Sequence, residues 1–128
     1  MNPLREDLNI IQQWIKPNSK VLDLGCGAGV LLKYLKEHKN VHGYGLEKKK
    51  KKITACIQKG VNVIEQDLDK GLANFQDNSR DTVVMTHALQ SVQRPDLLLD
   101  EMLRIGNEAI ITFPNFGYWR TRFYLMLK

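Results

Sequence analysis

Three glycines at alternate positions are the residues whose type and spacing most clearly predict chemistry in this chain. They are Gly25, Gly27 and Gly29 in the segment VLDLGCGAGVLLKYL, residues 21–35, between an apolar run and a segment with helical spacing. Glycine accepts a positive φ and lets a ligand approach the backbone without an intervening Cβ, and the helix that follows offers unpaired N–H groups. The segment therefore predicts a strand, a ligand-binding turn and a helix.

The spacing of the glycines narrows the class of ligand. A dinucleotide-binding turn reads G-x-G-x-x-G, whereas here Val30 stands where the third glycine would be. A Walker phosphate loop needs Gly-Lys followed by Ser or Thr, which this turn lacks. Asp23, two residues before Gly25, would repel a pyrophosphate. The pattern favours a ligand with a positive or hydrogen-bond-donating end.

Two acidic residues end the next two predicted strands. Glu47 ends the second strand, twenty residues after Gly27, and Asp67 ends the third. An acid at the end of the second strand of a nucleoside-binding sheet accepts hydrogen bonds from both ribose hydroxyls, because a carboxylate offers two oxygens. Asp67 could accept from the exocyclic amine of adenine, with Leu68 beside the ring. These positions predict a nucleoside ligand.

The remaining reactive side chains are two cysteines and a histidine. Cys26 lies near a helix start, where the pKa of a thiol can fall, but the sequence places no histidine to act as its base. We interpret it as a small side chain that fits a tight loop. His87 follows the fourth predicted strand and is a candidate general base or a residue of the rim. Neither Cys26 nor Cys56 has metal-ligand spacing, so we expect both reduced and no metal site.

The net charge of +5 comes from one segment, the five lysines at residues 48–52. Removing these five from the 19 basic residues leaves 14, equal to the 14 acidic residues. Like charges in a row repel one another, so the run predicts an exposed loop or a first helical turn. A nucleic-acid surface would interleave aromatic side chains with the charges, and none lies within the run. We therefore expect no nucleic-acid partner.

Five apolar runs rich in β-branched residues predict strands, and segments with helical spacing separate them. The strands are expected at residues 21–24, 41–46, 61–64, 82–85 and 109–113. Ile53 and Ile57 share one helix face, and Pro95 suits the first turn of another helix. Strands that are apolar nearly throughout and are joined by helices are buried on both faces. The order predicts an α/β fold with a doubly wound, mainly parallel sheet of five strands.

The length predicts a single domain, residues 1–128, with its own core. Its parts would be a leading amphipathic helix (1–16) over one sheet face, a ligand-binding sheet core (17–114) and an aromatic and basic segment (115–128). That last segment suits a substrate lid, a partner-binding patch or core packing. Residues 124–127 predict the start of a helix whose apolar face needs a partner, so we expect a C-terminal truncation.

The sequence contains no signal for membranes or secretion. No stretch holds the roughly eighteen uncharged apolar residues that a membrane span needs. The first residues, MNPLREDLNI, lack the basic and then apolar order of a secretion signal. We expect a soluble, cytoplasmic protein without a membrane partner.

Together the glycine turn and the two acids resemble the class I AdoMet-dependent methyltransferase pattern, over almost the whole chain. LDLGCGAG resembles the first motif of that class, GYGLE its acidic second-strand end and DLD its adenine-side acid. More specifically, the chain is similar to the MetW family of methionine biosynthesis proteins. The segments that carry this likeness are LREDLNIIQQWI, YGLE, ACIQKGVNVIEQDLDKGLANFQDNS, RPDLLLDEMLRIG and, most distinctively, TFPNFGYWR.

The resemblance implies a Rossmann-like methyltransferase fold that binds S-adenosylmethionine or S-adenosylhomocysteine. By similarity, Gly25 and Gly27 would lie against the methionine part of the cofactor, and Asp23 would help to hold its amino group. Glu47 would bind the ribose and Asp67 the adenine. The full set of expected cofactor-binding residues is Asp23, Gly25, Cys26, Gly27, Glu47, Asp67 and Leu68.

Three functions are compatible with the resemblance. In the first, the chain transfers a methyl group from S-adenosylmethionine to an acceptor that the sequence does not identify, with His87 the first residue to test as a base. In the second, it is a non-catalytic regulatory partner of a homoserine O-acyltransferase and needs no acceptor pocket. The third is a nucleic-acid methyltransferase, supported by the lysine run alone.

The chain departs from the family pattern at two places. After Glu47 the family has an apolar residue and then an acid, whereas this chain has Lys48 and Lys49. At position 80 an aromatic residue is usual, whereas this chain has Arg80. Side chains of these residues that filled the cofactor cleft would contradict the expected binding.

Overall fold

Helices and strands alternate along most of the chain, as the sequence predicts. The computed structural model describes residues 3–86, 91–114 and 122–128. Its helices are α1 (Pro3–Trp14), α2 (Val30–Lys39), α3 (Lys50–Gln58) and α4 (Pro95–Ile105), with a 3-10 turn at Leu68–Lys70. Its strands are β1 (Lys20–Leu24), β2 (His42–Glu47), β3 (Val63–Glu65), β4 (Arg80–Met85), β5 (Gly106–Pro114) and β6 (Arg122–Leu127). No helix in these ranges is long and apolar enough to cross a membrane.

The strands form one sheet in the order β3-β2-β1-β4-β5-β6, in which β1 to β5 are parallel to one another. β1 lies inside the sheet, where Leu22 pairs with Tyr44 of β2 and with Val83 of β4. Leu22 and its neighbour Leu24 are fully buried, because helices cover both faces of the sheet. The predicted doubly wound α/β fold is confirmed.

Two apolar clusters fill the two faces of the sheet. On one face Ile11 of α1 and Ile15, which follows α1, are buried against α2 and the strands. The Trp14 ring meets the Tyr124 ring edge to face, with 6.3 Å between centroids. On the other face α4 contributes residues such as Met102, which is fully buried. The prediction that an amphipathic leading helix covers one sheet face is confirmed.

The last strand corrects the prediction for the end of the chain. The sequence predicts five strands and the start of a helix at residues 124–127. Both predictions are wrong, because a sixth strand, β6, lies there antiparallel to β5, with Tyr124 opposite Thr112. Tyr124 and Met126 pack on the α1 side of the sheet and Leu127 on the α4 side, which is the alternation of a strand. A four-residue apolar run is too short to distinguish this period from that of a helix.

Candidate functional site

A cleft of about 470 Å³ opens at one edge of the sheet. Its walls come from the carboxyl ends of β1, β2 and β4 and from the segment that follows β3. Open α/β sheets bind their ligands at this edge, where the connections after neighbouring strands diverge to opposite faces. The volume lies in the range of small-molecule sites in proteins. The cleft is therefore the candidate functional site.

The cleft brings together more than half of the predicted cofactor-binding residues. Those on its wall are Gly25, Glu47, Asp67 and Leu68. The other three lie in or next to the glycine turn beside it: Asp23, Cys26 and Gly27. His87, the candidate base, lies outside the described residues, and so does the aromatic part of the predicted C-terminal segment at residues 115–121.

The glycine turn has the backbone conformation that the sequence predicts. φ is +70° at Gly25, +59° at Gly27 and +82° at Gly29, a region in which residues with a Cβ are strained. The backbone N–H groups of Gly25 and Cys26 both donate to the carbonyl of Leu46, at 2.8 and 3.0 Å. The end of β2 thereby fixes the start of the turn against the cleft.

The carboxylate of Glu47 is held by three backbone N–H groups. Oε1 accepts from Gly27 at 2.9 Å, and Oε2 accepts from Lys48 at 3.0 Å and from Lys49 at 3.1 Å. Two carboxylate oxygens offer about four lone-pair sites, so the group keeps acceptor capacity for a ligand. The contact with Gly27 was not predicted from the sequence, and it makes Glu47 part of the glycine turn as well as of the cleft wall.

Asp23 is a buried acid between the glycine turn and Glu47. It is 2% exposed, and its Oδ1 has no hydrogen-bond partner among the described residues. Burial, and then the charge of Glu47, raise the pKa of Asp23 to about 8. At pH 7 the carboxyl group is therefore largely protonated. A buried acceptor of this kind fits a ligand that brings a hydrogen-bond donor or a positive charge, as the sequence predicts for this turn.

The two cysteines pack against each other behind the glycine turn. Their Sγ atoms are 3.8 Å apart, and the Cys56 thiol donates to the carbonyl of Gly27 at 3.1 Å. Burial raises the pKa of both thiols, which disfavours the nucleophilic thiolate. Cys26 also occupies the space beside Gly45, where a Cβ would lie 2.3 Å from its Sγ. This packing agrees with the interpretation of Cys26 as a small side chain in a tight loop.

Asp67 and the residues after it form a turn at the opposite wall of the cleft. Asp67 Oδ1 accepts from the N–H of Asp69 at 3.0 Å and so begins the 3-10 turn. Asp69 Oδ1 accepts from the N–H of Gln93 at 2.8 Å, which ties this wall to the segment before α4. Leu68 packs partly buried against the apolar cluster on the α4 side. The turn can therefore present an acceptor and an apolar surface together.

Several residues of the cleft were missed by the sequence reasoning. Gln66 lies on the wall and donates from Nε2 to the carbonyl of Gly71 at 3.0 Å. Thr86 follows β4 directly, and Val92 precedes α4. Inspecting the first residue after every predicted strand would have found Thr86, because ligands in such sheets bind there. No sequence pattern around Val92 predicts a place in the cleft, because its position depends on how the segment before α4 folds back over the sheet.

The two departures from the family pattern have different outcomes. Lys48 and Lys49 line the cleft but do not fill it, since the cleft has a volume of about 470 Å³ with both residues on its wall. Arg80 lies at the start of β4, and therefore at the opposite edge of the sheet. Its guanidinium carbon is 5.8 Å from the ring centroid of Tyr44 and 5.7 Å from that of Phe75, close enough for cation–π attraction. Arg80 does not fill the cleft.

Metal ligands were not expected from the sequence. Among the residues that the structure describes, no group of three or more His, Cys, Asp or Glu side chains could hold a metal ion. Cys26 and Cys56 are both free thiols. The charged residues that line the cleft are Glu47, Asp67 and Asp69 and three lysines of the run at residues 48–52.

A family match covers nearly all of the chain. The family described as "Methionine biosynthesis protein MetW" matches residues 5–128. A curated relative from Rhodopirellula baltica, the "Bifunctional methionine biosynthesis protein MetXA/MetW", is 39% identical over 127 residues. The match covers 93% of this chain and 20% of the relative, so this chain spans about a fifth of the length of that protein.

Solved structures of several enzymes share the fold. A SAM-dependent methyltransferase from Archaeoglobus fulgidus has a TM-score of 0.78 and 26% identity, covering 88% of this chain and 52% of that one. A SAM-dependent methyltransferase from Aquifex aeolicus has a TM-score of 0.67 and 21% identity, covering 87% and 67%. The [4+2]-cyclase SpnF has a TM-score of 0.72 and 18% identity, covering 91% and 49%. The cyclase shows that the fold does not by itself identify the reaction.

Proposed function

The chain belongs to the MetW family of methionine biosynthesis proteins, and on this basis we propose that its cleft binds S-adenosylmethionine and S-adenosylhomocysteine. The observation that carries the proposal is that Gly25, Glu47 and Asp67, which follow or end three different strands, line one cleft of about 470 Å³. The Archaeoglobus fulgidus protein of the same fold is described as SAM dependent, which supports this choice of ligand.

The residues around the cleft fit the three parts of this ligand. Glu47 keeps about one acceptor site for a ribose hydroxyl, while three backbone N–H groups fix its orientation. Asp67 offers an acceptor to the adenine amine, and Leu68 offers apolar surface to the ring. Asp23 holds a buried oxygen without a partner among the described residues, which suits the ammonium group of the methionine part.

Binding and orientation are the tasks that these residues would perform. When bound, S-adenosylmethionine supplies an electrophilic methyl group on its sulfonium sulfur. Glu47 and the glycine turn would hold the ligand in one orientation, which is how positioning lowers a barrier. Asp23 would release its proton as the cationic ammonium group approaches, because a nearby positive charge favours the carboxylate. His87 is the first residue to test as a general base.

Calorimetric titration of the protein with S-adenosylmethionine and S-adenosylhomocysteine tests the proposal. We expect saturable binding of both ligands, with one displacing the other. Binding of S-adenosylmethionine should also release protons at pH 7, which is measured by repeating the titration in buffers of different ionisation enthalpy. Absence of binding at about 1 mM of either ligand would refute the cofactor assignment.

A second candidate function is that of a regulatory partner of a homoserine O-acyltransferase. The observation that favours it is the Rhodopirellula baltica relative, whose name joins MetXA and MetW in one bifunctional protein. In this proposal the MetXA part supplies the acyltransferase, and the cleft senses the nucleoside without transferring a methyl group. Co-elution of the full-length protein with the separate acyltransferase in gel filtration would support it, and independent elution would contradict it.

The two functions differ in a measurable way. A regulatory partner changes the rate of the acyltransferase when it is added, and S-adenosylmethionine or S-adenosylhomocysteine modulates that change. A methyltransferase instead consumes S-adenosylmethionine at a rate that depends on its acceptor. Measuring the acyltransferase rate with and without the protein, and with each ligand, distinguishes them.

A further inference from the structure

Three lysines of the run at residues 48–52 line the nucleoside cleft: Lys48, Lys49 and Lys52. Lys48 and Lys49 follow Glu47 directly, and Lys52 lies in the first turn of α3. All three are exposed. In the part of the chain that the structure describes, none of their ammonium groups takes part in an ion pair or a hydrogen bond. The run is therefore more than a solvated helix face, because three of its members contribute to the wall of a cavity.

The carboxylates of the cleft accept hydrogen bonds from backbone N–H groups, whereas the ammonium groups of these lysines have no partner among the described residues. Glu47 accepts from three backbone N–H groups, Asp67 from the N–H of Asp69, and Asp69 from the N–H of Gln93. The first turn of α3 contains no acidic residue to offset its lysines. The aligned peptide dipoles add further positive potential at this end of the helix. The wall formed by the end of β2 and the start of α3 therefore attracts an anionic group.

The position of this charge indicates what the anionic group belongs to. In nucleoside-binding sheets an acid at the end of the second strand takes the ribose hydroxyls, whereas in sites for a ribose phosphorylated on its 2′ oxygen a basic side chain nearby takes the phosphate. This chain has both features side by side, Glu47 and the three lysines. We propose that the cleft also takes an adenosine with a phosphate on its 2′ or 3′ oxygen. The free hydroxyl would bind Glu47, and the phosphate would bind the lysines.

This inference rests on the nucleoside cleft of the proposed function and adds a second class of ligand to it. S-adenosylhomocysteine and a ribose-phosphorylated adenosine share the adenosine part, so they would compete for one cleft. A phosphate on the 5′ oxygen would instead lie toward the glycine turn that follows β1, away from the three lysines. The order of preference among the phosphate positions therefore follows from where the charges lie.

The run of lysines supplies its own control. Lys50 and Lys51 belong to the same first turn of α3 as Lys52, but they are not on the wall of the cleft. Lys51→Gln and Lys52→Gln remove the same charge from adjacent positions. General attraction of the basic surface for anions, including nucleic acid, would respond equally to both changes.

Calorimetric titration with adenosine, 2′-AMP, 3′-AMP, 5′-AMP and S-adenosylhomocysteine tests the inference. We expect the affinity of 2′-AMP or 3′-AMP to exceed that of adenosine by about tenfold or more. The gain in affinity of 5′-AMP over adenosine should be much smaller. The gain should decrease with added salt, because the lysines are exposed. Lys52→Gln should reduce the gain severalfold, the triple change at positions 48, 49 and 52 should abolish it, and Lys51→Gln should preserve it.

The possible outcomes separate this inference from the proposed function. Normal binding of S-adenosylhomocysteine with no gain from a 2′ or 3′ phosphate overturns the inference alone. An equal loss of the gain in Lys51→Gln and Lys52→Gln also overturns it, because the attraction is then general. Binding of 3′-AMP without binding of S-adenosylhomocysteine supports the inference and removes the proposed cofactor. Absence of binding by all five ligands overturns both.

Discussion

The carboxylate of Glu47 accepts a hydrogen bond from the backbone N–H of Gly27 at 2.9 Å, across twenty residues of sequence. This bond joins the end of β2 to the turn that follows β1. The same residue lines the cleft. Glu47 thus shapes the glycine turn and forms part of the cleft wall, so the geometry of the turn and the geometry of the cleft are coupled.

Glu47→Gln is expected to weaken binding of S-adenosylhomocysteine by about 10- to 100-fold, because charge-assisted hydrogen bonds are worth roughly 1.5 to 3 kcal/mol. Calorimetry gives the dissociation constants. Glu65→Gln is the matched control, since Glu65 is the register partner of Glu47 on β3, is exposed and is not on the wall of the cleft. Equal affinities of wild type and Glu47→Gln would show that this carboxylate does not hold the ribose.

Protonation of Asp23 is expected to make the stability of the protein depend on pH. The folded state raises the pKa of this group from 3.8 to about 8, so it binds the proton more tightly than the unfolded chain does. The stabilising contribution of the neutral form is therefore complete below about pH 4 and is lost progressively as the pH rises to about 8. The loss is on the order of a few kcal/mol. Urea denaturation at intervals of pH measures it.

Asp23→Asn is the control for this titration, because an amide of similar shape carries no ionisable proton. Between about pH 4 and pH 8 the free energy of unfolding of wild type should fall relative to that of Asp23→Asn, because only wild type ionises at this position. A difference that stays constant over this range would mean that Asp23 does not titrate with a raised pKa.

Gly45→Ala is expected to destabilise the fold by about 1 to 3 kcal/mol, because the added Cβ would lie 2.3 Å from Cys26 Sγ and 2.7 Å from its Cβ. Cys26→Ala removes the nearer of these contacts. In a double-mutant cycle the two changes together should cost less than the sum of the single changes. Additive free energies from denaturant unfolding would show that the two residues do not compete for this space.

Arg104→Lys is expected to lower the Tm by about 5 °C or more. The guanidinium donates to the carbonyls of Leu72 and Phe75, at 2.9 and 2.8 Å, and pairs with Glu101 and Asp77. These carboxylates raise the pKa of Arg104. A lysine keeps the charge but lacks the planar fork that reaches all four partners.

Arg94→Lys is the matched control for Arg104→Lys. Arg94 pairs with Asp96 at 2.9 Å on the surface, where ion pairs contribute little to stability. We expect its Tm to stay within about 1 °C of wild type when measured by differential scanning calorimetry. A loss as large as that of Arg104→Lys would mean that the contacts with the backbone of residues 72–75 are not the cause.

The order of the elements and the edge of the sheet at which the cleft opens follow from the sequence alone. Apolar runs around residues 21–24 and 82–85 are typical of strands buried on both faces, since helices separate them. The carboxyl ends of such strands meet at one edge, so the sequence predicts that Gly25, Glu47 and Asp67 converge there. Each of these inferences depends on local periodicity and on a general rule of topology.

Only the tertiary structure shows which side chains from different elements contact each other. The pairing of β6 with β5, the bond from Gly27 to Glu47 and the contact of Cys26 with Cys56 join residues far apart in sequence. The tertiary structure also decides which lysines of the run reach the cleft. Lys51 and Lys52 are identical in type and adjacent in sequence, but of these two only Lys52 lies on the cleft wall. The direction of a side chain depends on how its helix sits on the sheet. That arrangement results from packing of the whole core and leaves no signal in a short stretch of sequence.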